Sequence, residues 1–203
     1  MYVPKANAVT DDAEVRTMIE AADVAHLVST TGSGLVATTL PVLLDGDSLL
    51  GHVARANSHW GDVTSGSESM AIIAGPDSYV SPSWYATKRD HGRVVPTWNY
   101  TSVHVYGTLV AHDDPDWKLG LVRRLTERHE SRLAEPWSVD DAPAEYIERM
   151  LGAIVGIEIE ITRIDAKRKV SQGRDGRDIA GVIAALEVGT DAQRAIAFEM
   201  RRG

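Results

Sequence analysis

Residues 25–54 hold three apolar, β-rich runs joined by two turns too short for a helix. Strands joined by such tight turns run antiparallel, so this stretch fixes the local topology as a meander. Ala25–Thr30 is the first run, Thr31-Gly32-Ser33-Gly34 the turn, and Leu35–Leu44 the second run. Asp45-Gly46 is a hairpin signal and Ser48–Ala54 the returning strand. Pro41 interrupts the second run without an N–H for the ladder, which predicts an edge or a bulge there.

The rest of the chain keeps to the same class. Asp11 opens a helix with Glu14 three residues on, as a capping box asks, and Val15, Met18, Ile19 and Ala22 form its apolar stripe. Ser69–Ala74 and Thr101–His112 read as strands, and Gly75–Tyr100 between them is Pro- and aromatic-rich and irregular. Asp114-Pro115 starts a helix running to about Leu133, and Ala142-Pro143 starts another. In 155–164, Ile157, Ile159 and Ile161 alternate with Glu158, Glu160 and Thr162, the pattern of a half-buried strand. Ile179, Val182, Ile183 and Leu186 mark a last helix. The reading is one domain over 1–190 and a C-terminal tail over 191–203. Strands and helices do not alternate as βαβ units, so an antiparallel barrel with helices outside it fits better than a doubly wound sheet.

Composition removes several function classes. There is no cysteine, which excludes disulfides, thiolate metal sites and a cysteine nucleophile, and which suits a cytoplasmic setting. No apolar run approaches the ~20 residues of a membrane span, and the N-terminus lacks the pattern of a secretory signal. The formal net charge is −8, with basic residues scattered, so the global field opposes direct DNA binding. The seven histidines include no His-x-x-x-His ligand pair, and no metal site is expected. Gly32-Ser33-Gly34 lacks the spacing of a phosphate-binding loop, and there is no Gly-x-Ser-x-Gly elbow.

Three segments carry the chemistry. His52–Trp60 leaves a strand, offers Arg55 and Asn57, and has Asn57 placed to cap a short helix over Ser58–Val63. A cation beside a helix start suits a phosphate, and a surface loop explains it equally. Ser81-Pro82-Ser83-Trp84-Tyr85 and Val95-Pro96-Thr97-Trp98-Asn99-Tyr100 each join a proline to a Trp and a Tyr. Those rings could stack on a planar ligand, line a dimer interface or fill a core. Lys169-Val170-Ser171-Gln172 sets a cation beside two hydrogen-bonding side chains. It could complete an anionic ligand site or be a solvated turn.

In this order, these segments resemble the FMN-binding negative transcriptional regulators of the PaiB type. The opening Met1-Tyr2-Val3-Pro4-Lys5 looks like the family's start, and Gly51–Asn57 matches a family signature. Pro136–Pro143, Ile147–Leu151, Ile154–Ile159 and Lys169–Gln172 match further ones. The resemblance implies an α+β fold, a split β-barrel that is antiparallel and pyridoxamine-phosphate-oxidase-like, with peripheral helices. It implies a homodimer holding FMN at the subunit boundary. Arg55, with Asn57, would serve the phosphate end. Leu40 and Pro41 would run alongside the flavin, Lys169 and Gln172 would contact it, and Trp98 and Asn99 would border the ring. His52, Ala54 and Ser171 lie in the same matched segments, and with Trp60 they complete the expected cofactor-binding set. Three places depart from the family pattern: Thr39 where relatives have His, Ser58-His59 for Pro-Gln, and Gly173 for Asn.

The resemblance favours a regulatory flavoprotein, acting on DNA or through a partner protein. A flavin-dependent oxidoreductase is the enzymatic alternative, and a barrel holding haem or another planar ligand is the third. No side chain stands out as an obligatory acid or base, and His52, His59, Tyr85 and His91 are candidates by proximity alone.

Overall fold

The computed structural model describes residues 1–63 and 67–202. Among the described residues there are seven strands: β1 (Ala8–Val9), β2 (Val24–Thr31), β3 (Gly34–Asp45), β4 (Ser48–Ala54), β5 (Glu68–Val80), β6 (Thr97–His112) and β7 (Ile154–Lys169). The helices are α1 (Asp12–Glu20), α2 (His59–Asp62), α3 (Lys88–His91), α4 (Pro115–Glu130), α5 (Ala144–Gly152), α6 (Gly176–Glu187) and α7 (Asp191–Arg202). The strand order is β1-β7-β4-β3-β2-β5-β6, and β6 also pairs with β7, so the sheet returns on itself. The β2–β3, β3–β4, β4–β7 and β2–β5 pairs are antiparallel. This is the α+β barrel architecture expected. The irregular segment is shorter than the sequence suggested, because β5 continues to Val80 and β6 begins at Thr97.

The chain forms two compact units. One comprises Ile19–Ile73 and His104–Ile164, and it contains the barrel meander. Its interior is built by period-two alternation: Ala25 and Leu27 from β2, Leu40 and Val42 from β3, and Leu49 and Val53 from β4 are all buried. Val105 and Leu109 from β6 and Val155, Ile157 and Ile159 from β7 complete it. Each Val, Leu or Ile among them contributes about 1.5–3 kcal/mol by leaving water. Pro41 sits where β3 changes partner. Residues up to Pro41 pair with β2, and from Val42 onward they pair with β4. A residue without an N–H is tolerated at that handover because the ladder is already switching sides.

α4 covers the outer face of β4, where Leu50 packs with Leu121 and Leu125. Its start is fixed by Asp114, whose carboxylate accepts the Trp117 N–H at 2.8 Å, with Pro115 in the first turn. Trp117 then stacks on His112 with centroids 4.1 Å apart and planes 8° from parallel. His112 Nε2 meets Glu158 at 2.7 Å, and the Ser48 hydroxyl donates to the same carboxylate at 2.6 Å. The approach is close enough that a Cβ at Gly156 would lie 2.1 Å from the Trp117 ring.

The other unit comprises Met1–Met18, Ala74–Val103 and the residues from Asp165 onward. Its core joins Val80, Tyr85 and Val170 to Val182 and Leu186 of α6 and Ile196, Ala197 and Met200 of α7. Buried Asp178 accepts the Thr87 N–H at 2.9 Å and its hydroxyl at 2.7 Å, tying the turn before α3 to α6. Buried Arg168 pairs with Glu14 at 2.6 Å and Glu199 at 2.7 Å, linking β7 to α1 and α7. Residues read as a tail thus form a packed helix. Ile196 and Met200, one turn apart, supply an apolar stripe that the Ala- and Arg-rich composition hides. Residue 203 of that segment lies outside the described residues. Among the described residues, no helix is long and apolar enough to cross a membrane.

The Gly156–Trp117 contact gives a test of the packing. Gly156→Val should cost about 1–3 kcal/mol through overpacking, read as a lowered denaturation midpoint. An unchanged midpoint would show that Trp117 does not seat on β7.

Candidate cofactor site

In the second unit, the start of β6 lies beside the residues that follow β7. Lys169 Nζ donates to the Thr97 hydroxyl at 2.7 Å and to the Trp98 carbonyl. The chain then turns through Ser171 at φ +67, the one positive-φ residue other than glycine among those described. A left-handed serine is unfavourable and needs support. Its hydroxyl donates to Asn99 Oδ1 at 3.0 Å, and Asn99 is fully buried. Gln172 locks the turn from the other side. Its Oε1 accepts the Val170 N–H at 2.8 Å, and its Nε2 donates to the Arg168 carbonyl at 2.5 Å.

Thr97, Asn99, Lys169, Ser171 and Gln172, with Asn7 and Arg174, line a cavity of about 230 Å³. Burial pushes the Lys169 ammonium below its ordinary range, and Lys167 and Arg174 add to this while Tyr100 opposes it. The Arg174 guanidinium stands 4.2 Å over the Tyr85 ring, and the buried Tyr85 hydroxyl has no hydrogen-bond partner among the described residues. Trp98 does not line the cavity. Its Nε1–H donates to Asp77 at 2.7 Å, and its ring meets Tyr79 edge-on at 6.1 Å.

The remaining expected residues lie in the first unit. Arg55 is engaged by protein acceptors. Its Nε donates to the Gly152 carbonyl at 2.7 Å, one terminal nitrogen to Asp113 at 3.1 Å, and the other to Asp113 and to the Ile154 carbonyl at 3.2 Å. Lys118 adds a third cationic contact to Asp113 at 2.8 Å. Arg55 first, then Lys118, holds the Asp113 carboxyl well below the usual range. Any phosphate at Arg55 would have to compete with this clasp. Trp60 Nε1 donates to the Arg55 carbonyl at 3.0 Å, closing the loop.

Asn57 acts within the same loop. Its Oδ1 accepts the His59 N–H at 3.0 Å at the start of α2, and its Nδ2 donates to Thr38 at 3.1 Å. His59 is almost fully buried. Its ring nitrogens meet Thr38 at 2.8 Å and Ser29 at 2.9 Å, and Ser29 meets Ser69 at 2.7 Å. Burial lowers the His59 pKa, and Asp62 partly opposes this. Leu40 is interior, Pro41 half-buried and Ala54 exposed at the end of β4. His52 shares the β4 face of Leu50, its buried Nδ1 has no hydrogen-bond partner among the described residues, and burial lowers its pKa.

A family model described as "Putative FMN-binding domain" matches residues 1–163. The chain belongs to this FMN-binding family. It is 30% identical over 193 residues to "Protease synthase and sporulation protein PAI 2" of Bacillus subtilis (strain 168), covering 92% of this chain and 89% of that one. Its fold is similar to that of the flavocytochrome Anf3 from Azotobacter vinelandii, with a TM-score of 0.61, 18% identity, and 88% and 78% of the two chains covered. It is also similar to the FAD and heme binding protein from Mycobacterium smegmatis, with a TM-score of 0.63, 18% identity, and 86% and 79% covered. The split-barrel fold and FMN as the family's cofactor therefore stand. The family match ends before Lys169, so the Lys169 cavity rests on its geometry.

Sequence reasoning missed Thr97, Asn7 and Arg174 in the cavity, and Asp113, Thr38, Ser29 and Ser69 around Arg55 and His59. Thr97 sits inside a quoted motif. Arg174 follows the Lys169–Gln172 motif by two residues in the same turn, and the others are brought in from segments distant in sequence.

The His59 network has a defined pH dependence. A histidine whose folded pKa is lowered contributes stability above its ordinary value, near 6.5, and loses it as pH falls through the folded value. His59→Gln should therefore show a flatter fall in melting temperature between pH 7 and pH 5 than the parent. Parallel curves would rule out a buried neutral imidazole.

Proposed function

We propose that this chain is an FMN-binding regulator of the PaiB type, and that the Lys169 cavity receives the pyrimidine edge of the flavin. The observation that carries the placement is the half-buried ammonium set beside a preformed, strained turn. The cavity mixes a cation with amide and hydroxyl groups, which suits an edge bearing two carbonyls and an N–H better than an all-acceptor phosphate. FMN, when bound, supplies the electron chemistry, and the protein supplies orientation and electrostatics. Thr97 and the Trp98 carbonyl hold the Lys169 ammonium in place. Asn99 and Gln172 hold the Ser171 turn without needing a ligand, so binding pays little ordering entropy.

The regulatory role is supported by the similarity to PAI 2, a protein named for protease synthesis and sporulation. A net charge of −8 favours action through a partner protein over direct contact with duplex DNA. Exposed Tyr79, Val95 and Trp98 supply apolar surface suited to a homodimer. Such a dimer fits the cytoplasm, where free flavin nucleotide is available. The same lysine favours a second reading, a flavin-dependent oxidoreductase, because a cation at the pyrimidine edge stabilises the reduced flavin. Bleaching of the bound flavin by NADH or NADPH would support that reading.

Lys169→Met tests the placement. The variant should bind FMN about tenfold more weakly, or roughly 1.4 kcal/mol, lose riboflavin affinity by the same factor, and have a more negative midpoint potential. Unchanged FMN affinity would reject the cavity as a flavin contact. Loss confined to FMN, with riboflavin unaffected, would place the phosphate there instead.

A further inference from the structure

Pro136–Pro143 carries part of the family resemblance, yet nothing in the flavin reading uses it. In the structure its first residues face α4 across a cavity of about 410 Å³. That volume is within the range of small-molecule sites, about 300–1,000 Å³. Arg123, Thr126, Glu127 and Glu130 recur at i, i+3, i+4 and i+7, so they form one wall from a single helix face. Trp137 stands on the other wall.

Both walls are held by the protein itself. The Trp137 N–H donates to Glu130 Oε2 at 2.9 Å. Ser138 and Asp141 form a reciprocal capping box around the 3-10 turn Val139–Asp141. Arg123 pairs with Asp140 at 2.5 Å, which uses the one cation on the lining. What these contacts leave open is specific. The Trp137 indole is 45% exposed, and among the described residues it stacks on no ring and carries no cation. The Glu127 carboxylate has no ion-pair or side-chain hydrogen-bond partner among the described residues, and Glu130 keeps its second oxygen.

An open indole face beside an exposed, unpaired carboxylate, in a surface groove whose walls are already fixed, selects one ligand chemistry. We infer that this cavity binds a small organic cation: a protonated amine on an apolar or aromatic body, with the ammonium on Glu127 and Glu130 and the body against Trp137. The ring quadrupole and the carboxylates attract the same charge, so the two contributions reinforce one another. An anion would meet the carboxylates of Glu127 and Glu130. A neutral analogue would keep only the stacking.

Phenethylammonium is a suitable probe, with 2-phenylethanol and phenylacetate as neutral and anionic counterparts, each titrated calorimetrically into the purified chain. Saturable amine binding is expected with Kd below about 1 mM, weakened at least about tenfold in Glu127→Gln and in Trp137→Leu. Glu127→Gln removes no internal contact, so its fold and FMN uptake should match the parent, which separates this test from the flavin reading. The inference is overturned if the amine shows no saturable binding, if Glu127→Gln binds it as well as the parent, or if the alcohol binds equally.

Discussion

Strand β7 runs antiparallel to β4 through seven paired positions, from Ala54↔Ile154 to Ser48↔Glu160. That pairing joins segments about a hundred residues apart, and it is what turns an open meander into a barrel. Its other edge meets β6 so tightly that a Cβ at Gly107 would lie 2.1 Å from the Glu160 carbonyl. The interior depends on it, because Val155, Ile157 and Ile159 face inward only in this register, and a one-residue slip would turn Glu158 and Glu160 into the core. The clasp at Arg55 depends on it too, since two of that side chain's acceptors are the carbonyls of Gly152 and Ile154 at the start of β7.

The barrel was largely legible in the sequence because its signals are local. The Asp45-Gly46 hairpin and the alternation of Ile157, Ile159 and Ile161 each fit within a few residues. Pro41 was legible as an anomaly, but its explanation needed both neighbouring strands. The helix α7 was obscured because Ala and Arg dominate its composition. Its buried residues become apparent only when Ile196, Ala197 and Met200 are seen packed with α6.

The candidate site divides along the same line. Lys169, Ser171 and Gln172 are neighbours in sequence, and the structure keeps them together because the turn after β7 is compact. Arg55 looked available because its partner is invisible locally: Asp113 lies 58 positions away. Charge pattern alone cannot distinguish a guanidinium offered to a ligand from one committed to a carboxylate. His59 presents the same difficulty. A histidine in a loop reads as exposed, yet hydroxyls from β2 and β3 enclose it, and β5 adds Ser69 behind them.

A flavoprotein of this family must take up FMN. The direct measurement is an equilibrium titration of FMN into the purified chain, followed by flavin absorbance and fluorescence and by flavin released on denaturation. Saturable uptake approaching about one FMN per chain at micromolar flavin is the predicted result. A folded chain that takes up no FMN would contradict the account.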